Sequence, residues 1–207
     1  MNIEHRFFPM TEVRVASADE KTTISGYAAV FNSLSDVLYW GFREKIAPGA
    51  FASSLENGYD IRALWNHDPT FPLGRTKNNT LRLQEDEKGL ATEINPPASG
   101  YANDFVEAIR QGLVDQMSFG FQTLEDTWDI LDDGTYVRTL MKVRLYEVSP
   151  VTFPAYPETS IGMRGGAEAV YVPPKPEIRR ASSEPVLDED QVRAHLERER
   201  RLRLAAV

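Results

Sequence analysis

Val-Asp-Gln-Met-Ser-Phe-Gly-Phe-Gln-Thr, residues 114–123, alternates apolar side chains with small or polar ones. Such alternation is typical of a half-buried β-strand, because successive side chains of a strand point to opposite faces of the sheet. Met117, Phe119 and Phe121 would then face the core, while Ser118 and Gly120 would share the other face. The segment therefore predicts a strand that carries a hydroxyl beside a glycine, which would leave room for a substrate backbone.

Further short alternating segments, separated by turn residues, run from Thr22 to about Tyr156. Strands are predicted over residues 23–31, 61–65, 80–84, 90–94, 127–131 and 136–140. The last two flank Asp132-Asp133-Gly134, where glycine supplies the positive φ that a hairpin turn needs. The pattern predicts a mainly β fold with flanking helices, in the form of an antiparallel sheet or barrel.

Two helices are predicted between these strands. The first spans about residues 48–57. The second has an apolar stripe at spacing four, formed by Phe105, Ile109 and Leu113, and Asn103 is its predicted N-cap. It leads directly into the strand that carries Ser118.

The composition changes after Ser160, where a proline-rich stretch precedes a highly charged one. The charged stretch is acidic at its start and basic at its end, as a helix dipole favours. We therefore predict four parts: an N-terminal segment (1–20), a core domain (21–160), an extended proline-rich linker (161–185) and a C-terminal charged helix (186–207).

Composition excludes several kinds of site and partner. The chain has no cysteine, so disulfides, thiolate nucleophiles and cysteine-ligated metals are excluded. The net charge is −8, and the acidic excess lies in residues 1–160, which lack a basic stripe. We therefore expect no nucleic-acid partner for the core domain. The sequence has neither a transmembrane-length apolar run nor the apolar run of a signal peptide, so we expect a soluble, unexported protein without a membrane partner.

His67 is the histidine that the sequence places best for chemistry. His5 is expected near a loose end of the chain, and His195 lies on the predicted charged helix. His67 stands in Trp-Asn-His-Asp-Pro, where a strand gives way to a turn, so its imidazole is expected at the rim of the sheet. The alternative is a turn histidine that hydrogen-bonds the local backbone.

Ser118 and Glu147 each allow a plain structural interpretation as well. Ser118 could be an ordinary polar residue on the solvent face of a strand, although the small Gly120 beside it leaves little side-chain bulk on that face. Glu147 interrupts an otherwise apolar strand and needs a partner if it points inward. A carboxylate can hold a neutral imidazole in one tautomer and stabilise the imidazolium, as in a serine triad. Alternatively, Glu147 faces an edge or pairs with Arg144 or Arg62.

Several blocks of sequence, spread over about residues 20–160, together resemble the tailed-phage prohead maturation protease family. This family consists of serine peptidases that share a fold with the herpesvirus assemblins. The matching blocks are Gly26-Tyr-Ala-Ala-Val-Phe31, Glu44-Lys-Ile-Ala-Pro-Gly-Ala-Phe51, Leu64-Trp-Asn-His-Asp68, Pro72-Leu-Gly-Arg75, Met117-Ser-Phe-Gly-Phe121 and Leu145-Tyr-Glu-Val-Ser-Pro-Val-Thr-Phe-Pro-Ala-Tyr156.

The resemblance implies an assemblin-like antiparallel β-barrel and an order of His, Ser and a third residue, which map onto His67, Ser118 and Glu147. Herpesvirus members use a second histidine in third place. No histidine follows Ser118 in the core here, so either a carboxylate serves or the pair acts alone. Asp68 and Asp115 are the next acids to consider.

The implied chemistry is peptide-bond hydrolysis by Ser118, with His67 as general base and without a cofactor or metal. The oxyanion would be held by backbone N–H groups around residues 152–155 or by Arg75. A metal-dependent hydrolase is an alternative, but the sequence offers one core histidine and only scattered acids.

The resemblance also implies a biological role. The protease would cleave the scaffold segment of the major capsid protein precursor inside the assembling procapsid, in the host-cell cytoplasm, and would then cleave itself. The linker suits self-cleavage near residues 160–185, and a homodimer is left open. The alternative of another class is a non-catalytic procapsid assembly or scaffold protein on the same fold.

Overall fold

A computed structural model of the chain describes residues 3–9, 14–18, 21–38, 40–152 and 173–176, with the backbone alone at residues 7–9, 17, 18 and 21. The predicted C-terminal helix and nearly all of the linker lie outside these residues. The division of the chain at residues 20, 160 and 185 therefore stays a prediction.

Most described residues belong to strands, which confirms the mainly β fold class. The strands are β1 (Glu4–Pro9), β2 (Arg14–Ala18), β3 (Lys21–Val30), β4 (Phe42–Ile46), β5 (Arg62–Trp65), β6 (Asp68–Arg75), β7 (Leu81–Glu85), β8 (Gly89–Ile94), β9 (Gln116–Ile130) and β10 (Tyr136–Val151). The helices are α1 (Ala52–Glu56) and α2 (Gly100–Arg110), and a 3₁₀ turn covers Thr76–Asn78. None of the described helices is long and apolar enough to cross a membrane.

The strands form two sheets. The larger sheet has the order β1-β9-β10-β5-β6, and the smaller sheet has the order β2-β3-β8-β7. Strand β10 is central to the larger sheet, because β9 pairs along one of its edges while β4 and β5 share the other. Both β4 and β5 run parallel to β10, so the larger sheet is mixed rather than purely antiparallel. The assemblin-like barrel stays a prediction.

The alternation of residues 114–123 correctly places the core face of β9. Met117, Phe119 and Phe121 are all buried in the main hydrophobic core, where Phe119 meets Phe51 of the turn before α1 edge-on. Full burial of a phenylalanine stabilises the fold by about 2 kcal/mol relative to leaving it exposed. Because this packing sets the orientation of β9, the opposite face of the strand, which carries Ser118 and Gly120, points toward the functional site.

The predicted hairpin around Gly134 is confirmed, with Gly134 at φ 87° between β9 and β10. The second helix begins earlier than expected. Its N-cap is Ser99 rather than Asn103, because the buried stripe already includes Ala102. Leu113 lies beyond its end, where Gly112 at φ 70° turns the chain away, and is 61 % exposed rather than buried.

Candidate active site

His67 lies at the tip of the β5–β6 hairpin. Trp65 and Asp68 pair across a two-residue turn in which Asn66 and His67 have φ values of 52° and 61°. Two consecutive positive φ values define a type I′ turn, the turn whose twist best suits a short hairpin. Asparagine and histidine occur in this left-handed region more often than most residues other than glycine. The turn thereby presents the imidazole at the sheet rim, as the sequence predicts.

Asn66 fastens this tip to the end of β10. Its backbone N–H donates to the Pro150 carbonyl at 3.1 Å, and its side-chain Oδ1 accepts from the Thr152 backbone N–H at 2.9 Å. The Thr152 N–H, one candidate for the oxyanion site, is therefore already engaged. The rest of that candidate segment, residues 153–155, lies outside the described residues.

Glu147 of β10 is the partner of His67. His67 Nδ1 lies 2.7 Å from Glu147 Oε1, and Ser149 Oγ donates a hydrogen bond to the other carboxylate oxygen. Glu147 is 9 % exposed, so it is the inward-pointing acid that the sequence anticipates. The carboxylate is therefore held from two sides and faces the imidazole.

The proposed alternative partners of Glu147 lie elsewhere. Arg62 donates to Asp60, and the Arg144 guanidinium lies over the Tyr59 and Tyr146 rings. Arg62 is the β5 residue in register with Glu147, but neither guanidinium forms an ion pair with that carboxylate among the described residues, so the plain ion-pair interpretation does not describe this site.

Ser118 lies on the same face of the sheet as Glu147. It is directly opposite Ser149 across the β9–β10 pair, and Gly120 is opposite Glu147. Side chains opposite each other in an antiparallel pair have Cβ atoms about 5 Å apart. Ser118 is 0 % exposed, and its Oγ has no hydrogen-bond partner among the residues that the structure describes. The sheet thus places a buried hydroxyl opposite Ser149, although no hydrogen bond joins it to His67.

Gly120 serves a different purpose from the one expected. A Cβ atom at this position would overlap Glu147 Oε1 and would lie 3.1 Å from His5 Nε2. The space above Gly120 is therefore filled by the carboxylate and an imidazole, so the expected room for a substrate backbone is not there.

His5 belongs to the site, and the expectation of a loose end is wrong. It lies in β1 opposite Gly120, with its Nε2 3.6 Å from Glu147 Oε1 and its ring centroid 4.2 Å from that of His67. Burial and the neighbouring His67 lower the pKa of His5 to about 4, although Glu147 acts in the opposite direction. His5 is therefore neutral at neutral pH.

A buried ionic cluster anchors the strand that carries His5. Arg6 donates to Glu44 at 2.5 Å and to Glu4 at 2.8 Å, and Arg138 donates to Glu4 at 2.6 Å and to Glu44 at 3.1 Å. Burial raises the pKa of Glu4, but the Arg138 hydrogen bond and both arginine charges outweigh it, so that pKa is lowered. The cluster joins β1, β4 and β10.

The other sequence candidates are not brought to the imidazole. Asp68 accepts from the Thr70 backbone and hydroxyl at 2.8 and 2.6 Å, and these hydrogen bonds lower its pKa. Asp115 is exposed. Arg75 donates to both oxygens of Asp60 at 2.7 and 2.6 Å, so its guanidinium is already bound to a carboxylate. His195 lies outside the described residues.

His5, His67 and Glu147 are also the one set of potential metal ligands in the described part of the chain. Their ligand atoms lie within 4.8 Å of one another. Ligands of tetrahedral zinc stand about 3.3 Å apart, whereas His67 Nδ1 and Glu147 Oε1 are at the hydrogen-bonding distance of 2.7 Å. The site thus contains a second histidine, His5, that the sequence interpretation missed. The geometry of His67 and Glu147 is that of a hydrogen-bonded pair and not that of two metal ligands.

Comparisons with known proteins concern the fold and the family of the chain. The fold is similar to that of the bacteriophage T4 capsid assembly protease, gp21, with a TM-score of 0.52 over 74 % of this chain and 98 % of that chain. The two sequences are 8 % identical, so the likeness concerns the fold. No curated protein matches the chain in sequence. Residues 10–170 match the family described as caudovirus prohead serine protease. The chain belongs to the caudovirus prohead serine protease family.

Proposed function

We propose that the chain is the serine endopeptidase of phage capsid maturation, with Ser118 as nucleophile, His67 as general base and Glu147 as the acid that orients the imidazole. The observation that carries this assignment is the 2.7 Å contact between His67 Nδ1 and Glu147 Oε1. It lies on the face of the sheet that also bears the buried hydroxyl of Ser118.

The first step is acylation. Ser118 Oγ attacks the carbonyl carbon of the scissile peptide bond while His67 Nε2 takes the hydroxyl proton. The hydrogen bond of Glu147 to His67 Nδ1–H selects the tautomer that has a basic Nε2, and the carboxylate charge stabilises the imidazolium. The imidazolium then gives its proton to the leaving amine as the carbon–nitrogen bond breaks.

Deacylation uses the same groups. Water gives a proton to His67 Nε2 and attacks the acyl carbon, and the returned proton releases Ser118 Oγ together with the carboxylic acid product. Ser149 and Asn66 take no part in bond making or proton transfer in this scheme. They act as positioning residues, because one holds the Glu147 carboxylate and the other holds the hairpin tip.

The proposed substrates are the scaffold segment of the major capsid protein precursor and the protease itself, inside the procapsid. Family membership and the fold shared with a capsid assembly protease support a capsid maturation protease that acts on capsid precursor proteins. Self-cleavage near residues 160–185, the use of Glu147 as third residue and a homodimer belong to this proposal.

Co-expression with the cognate capsid precursor tests the proposal. Intact masses of both chains are measured for wild type, Ser118→Ala and His67→Ala, with Ser33→Ala as an exposed-serine control. We expect wild type and the control to shorten the precursor and themselves, while the two active-site variants leave both chains whole. Normal processing by the Ser118→Ala variant would show that Ser118 is not the nucleophile.

One observation favours the non-catalytic alternative, an assembly or scaffold role on the same fold. Ser118 is fully buried, so a substrate reaches its hydroxyl only after the site opens. An assembly protein would leave the precursor whole even in wild-type chains, while particle assembly would still require the protein. The same co-expression therefore separates the two functions.

A further inference from the structure

A cluster of aromatic side chains lies at the hairpin end of β9 and β10. Trp40 stacks on Trp128 with ring centroids 5.6 Å apart and planes at 22°, and Tyr136 meets Trp40 edge-on at 5.6 Å. Phe42 packs against both tryptophans at 4.7 and 5.1 Å. We call Trp40, Trp128 and Tyr136 the aromatic surface. Tyr136 is the first residue of β10, whereas Ser149, opposite Ser118, is near the other end of that strand.

A short piece of the proline-rich stretch lies on this surface. Pro173 is buried, and its carbonyl accepts a hydrogen bond from Trp40 Nε1 at 2.8 Å. The Lys175 ammonium lies 4.8 Å from the centroid of the Tyr136 ring and 5.9 Å from that of Trp40. Two chemically distinct contacts, a hydrogen bond and a cation–π pair, therefore hold the segment Pro173–Lys175 on the aromatic surface.

The sequence of this piece favours an extended conformation before it docks. In Pro173-Pro174-Lys175-Pro176, proline fixes φ at two of the three docked residues, and Pro173 and Lys175 each precede a proline. Polyproline II segments make no internal hydrogen bonds, so their carbonyls are available to a donor. Aromatic-lined grooves recognise such segments at low entropic cost. The indole N–H and ring faces found here are the groups that this recognition uses.

We propose that the aromatic surface is a binding site for a lysine-bearing polyproline II segment, and that its occupant is Pro173–Lys175 of the same chain. Docking holds Pro173–Lys175 at the end of β10 that is remote from Ser118. This inference does not depend on the proposed protease activity.

The test uses the full chain with Ser118→Ala, so that self-cleavage cannot remove the segment. The chain has three tryptophans, and the indole N–H signal of Trp40 is assigned by nuclear magnetic resonance with Trp40→Phe. The parent is compared with the triple variant Pro173→Ala, Pro174→Ala, Lys175→Ala. Lys142→Ala, an exposed lysine on β10, is the control. The Trp65 indole signal reports whether the core fold is kept.

In the triple variant we expect the Trp40 signal to shift and its exchange with water to accelerate about fivefold or more, as the loss of one hydrogen bond implies. The control and the Trp65 signal should not change. A Trp40 signal that is identical in parent and triple variant would overturn the proposal.

A peptide of residues 171–177 provides the second arm. It should restore the parental Trp40 signal in the triple variant and should bind the parent at least about tenfold more weakly, because the parent's own segment occupies the surface. Equal binding to both chains would show that Pro173–Lys175 does not occupy the surface in the parent, and would overturn the proposal.

Discussion

Glu147 Oε1 lies 2.7 Å from His67 Nδ1, although 80 positions separate the two residues in the chain. The contact exists because β5 runs beside the second half of β10, so that the turn after β5 meets the end of β10. A tight hairpin turn and one inward acid thereby create a pair that can support a serine nucleophile.

Replacing Glu147 by glutamine tests the orienting acid. The amide keeps the shape of the side chain but loses the charge that stabilises the imidazolium, so we expect the cleavage rate to fall by roughly 10²–10⁴-fold. The rate is measured on the capsid precursor, and Arg144→Gln on the same strand is the control. A Glu147→Gln rate within threefold of wild type would leave the carboxylate without a catalytic role.

The variant Gly120→Ala tests the packing of the site without replacing any proposed catalytic group. Its methyl group would overlap Glu147 Oε1 at the end of a side chain that can move, so the fold should survive while the His67 contact is lost. We expect about a hundredfold slower cleavage and a circular dichroism spectrum like that of wild type. Gly100→Ala, whose added Cβ meets nothing within 4 Å, should keep full activity. Equal rates for the two alanine variants would contradict this packing.

Glu4 should make the free energy of unfolding depend on pH in acidic solution. The pKa of Glu4 in the folded state is lowered from 4.5. Its contribution to the free energy of unfolding is therefore present above pH 4.5 and is lost as pH falls through the folded-state pKa. At pH 7, Glu4→Gln should lower the free energy of unfolding by about 3 kcal/mol, because it leaves buried arginines underpaired. The difference from wild type, measured by urea unfolding, should narrow below pH 4.5. A difference that stays constant into acid would contradict a charged Glu4.

The control for Glu4 is Glu93→Gln, which breaks an exposed ion pair with Arg82 at 2.7 Å. Exposed pairs contribute about 0–1 kcal/mol. The two glutamine variants thus separate the effect of burial from that of charge loss.

Chelation should not affect cleavage. His67 Nδ1 is committed to Glu147 in a hydrogen bond, and the three potential ligand atoms are spread over as much as 4.8 Å. We expect the same precursor-cleavage rate with and without excess EDTA. Loss of activity that added zinc restores would favour a metal-dependent hydrolase on the same three residues.

The sequence predicts the parts of the site that obey simple periodicity. Phe119 and Phe121 identify the core face of β9 and therefore the direction of Ser118, and Glu147 stands out because it interrupts an apolar strand. His67 is found because proline and asparagine mark a turn next to it. These three residues come from strongly patterned segments.

His5 and Ser149, which the sequence does not predict as site residues, lie in segments without such patterns. His5 lies between Glu4 and Arg6, whose charges are buried against Glu44 and Arg138, so hydrophobic periodicity gives no sign of a buried strand. Partners that lie more than a hundred residues away, as Arg138 does from Glu4, cannot be inferred from local sequence. The role of Ser149 likewise depends on the pairing of β10 with β9, which only the fold determines.

The most direct measurement is covalent labelling of the nucleophile with a fluorophosphonate, followed by peptide mass mapping. An activated serine hydroxyl displaces fluoride from the reagent and gains its phosphonyl group, whereas ordinary serines react far more slowly. The account predicts one adduct, on Ser118, in wild type and its loss in His67→Ala. Precursor cleavage by a wild-type chain that is labelled at another residue would contradict the central claim, and so would labelling of Ser118 that persists in His67→Ala.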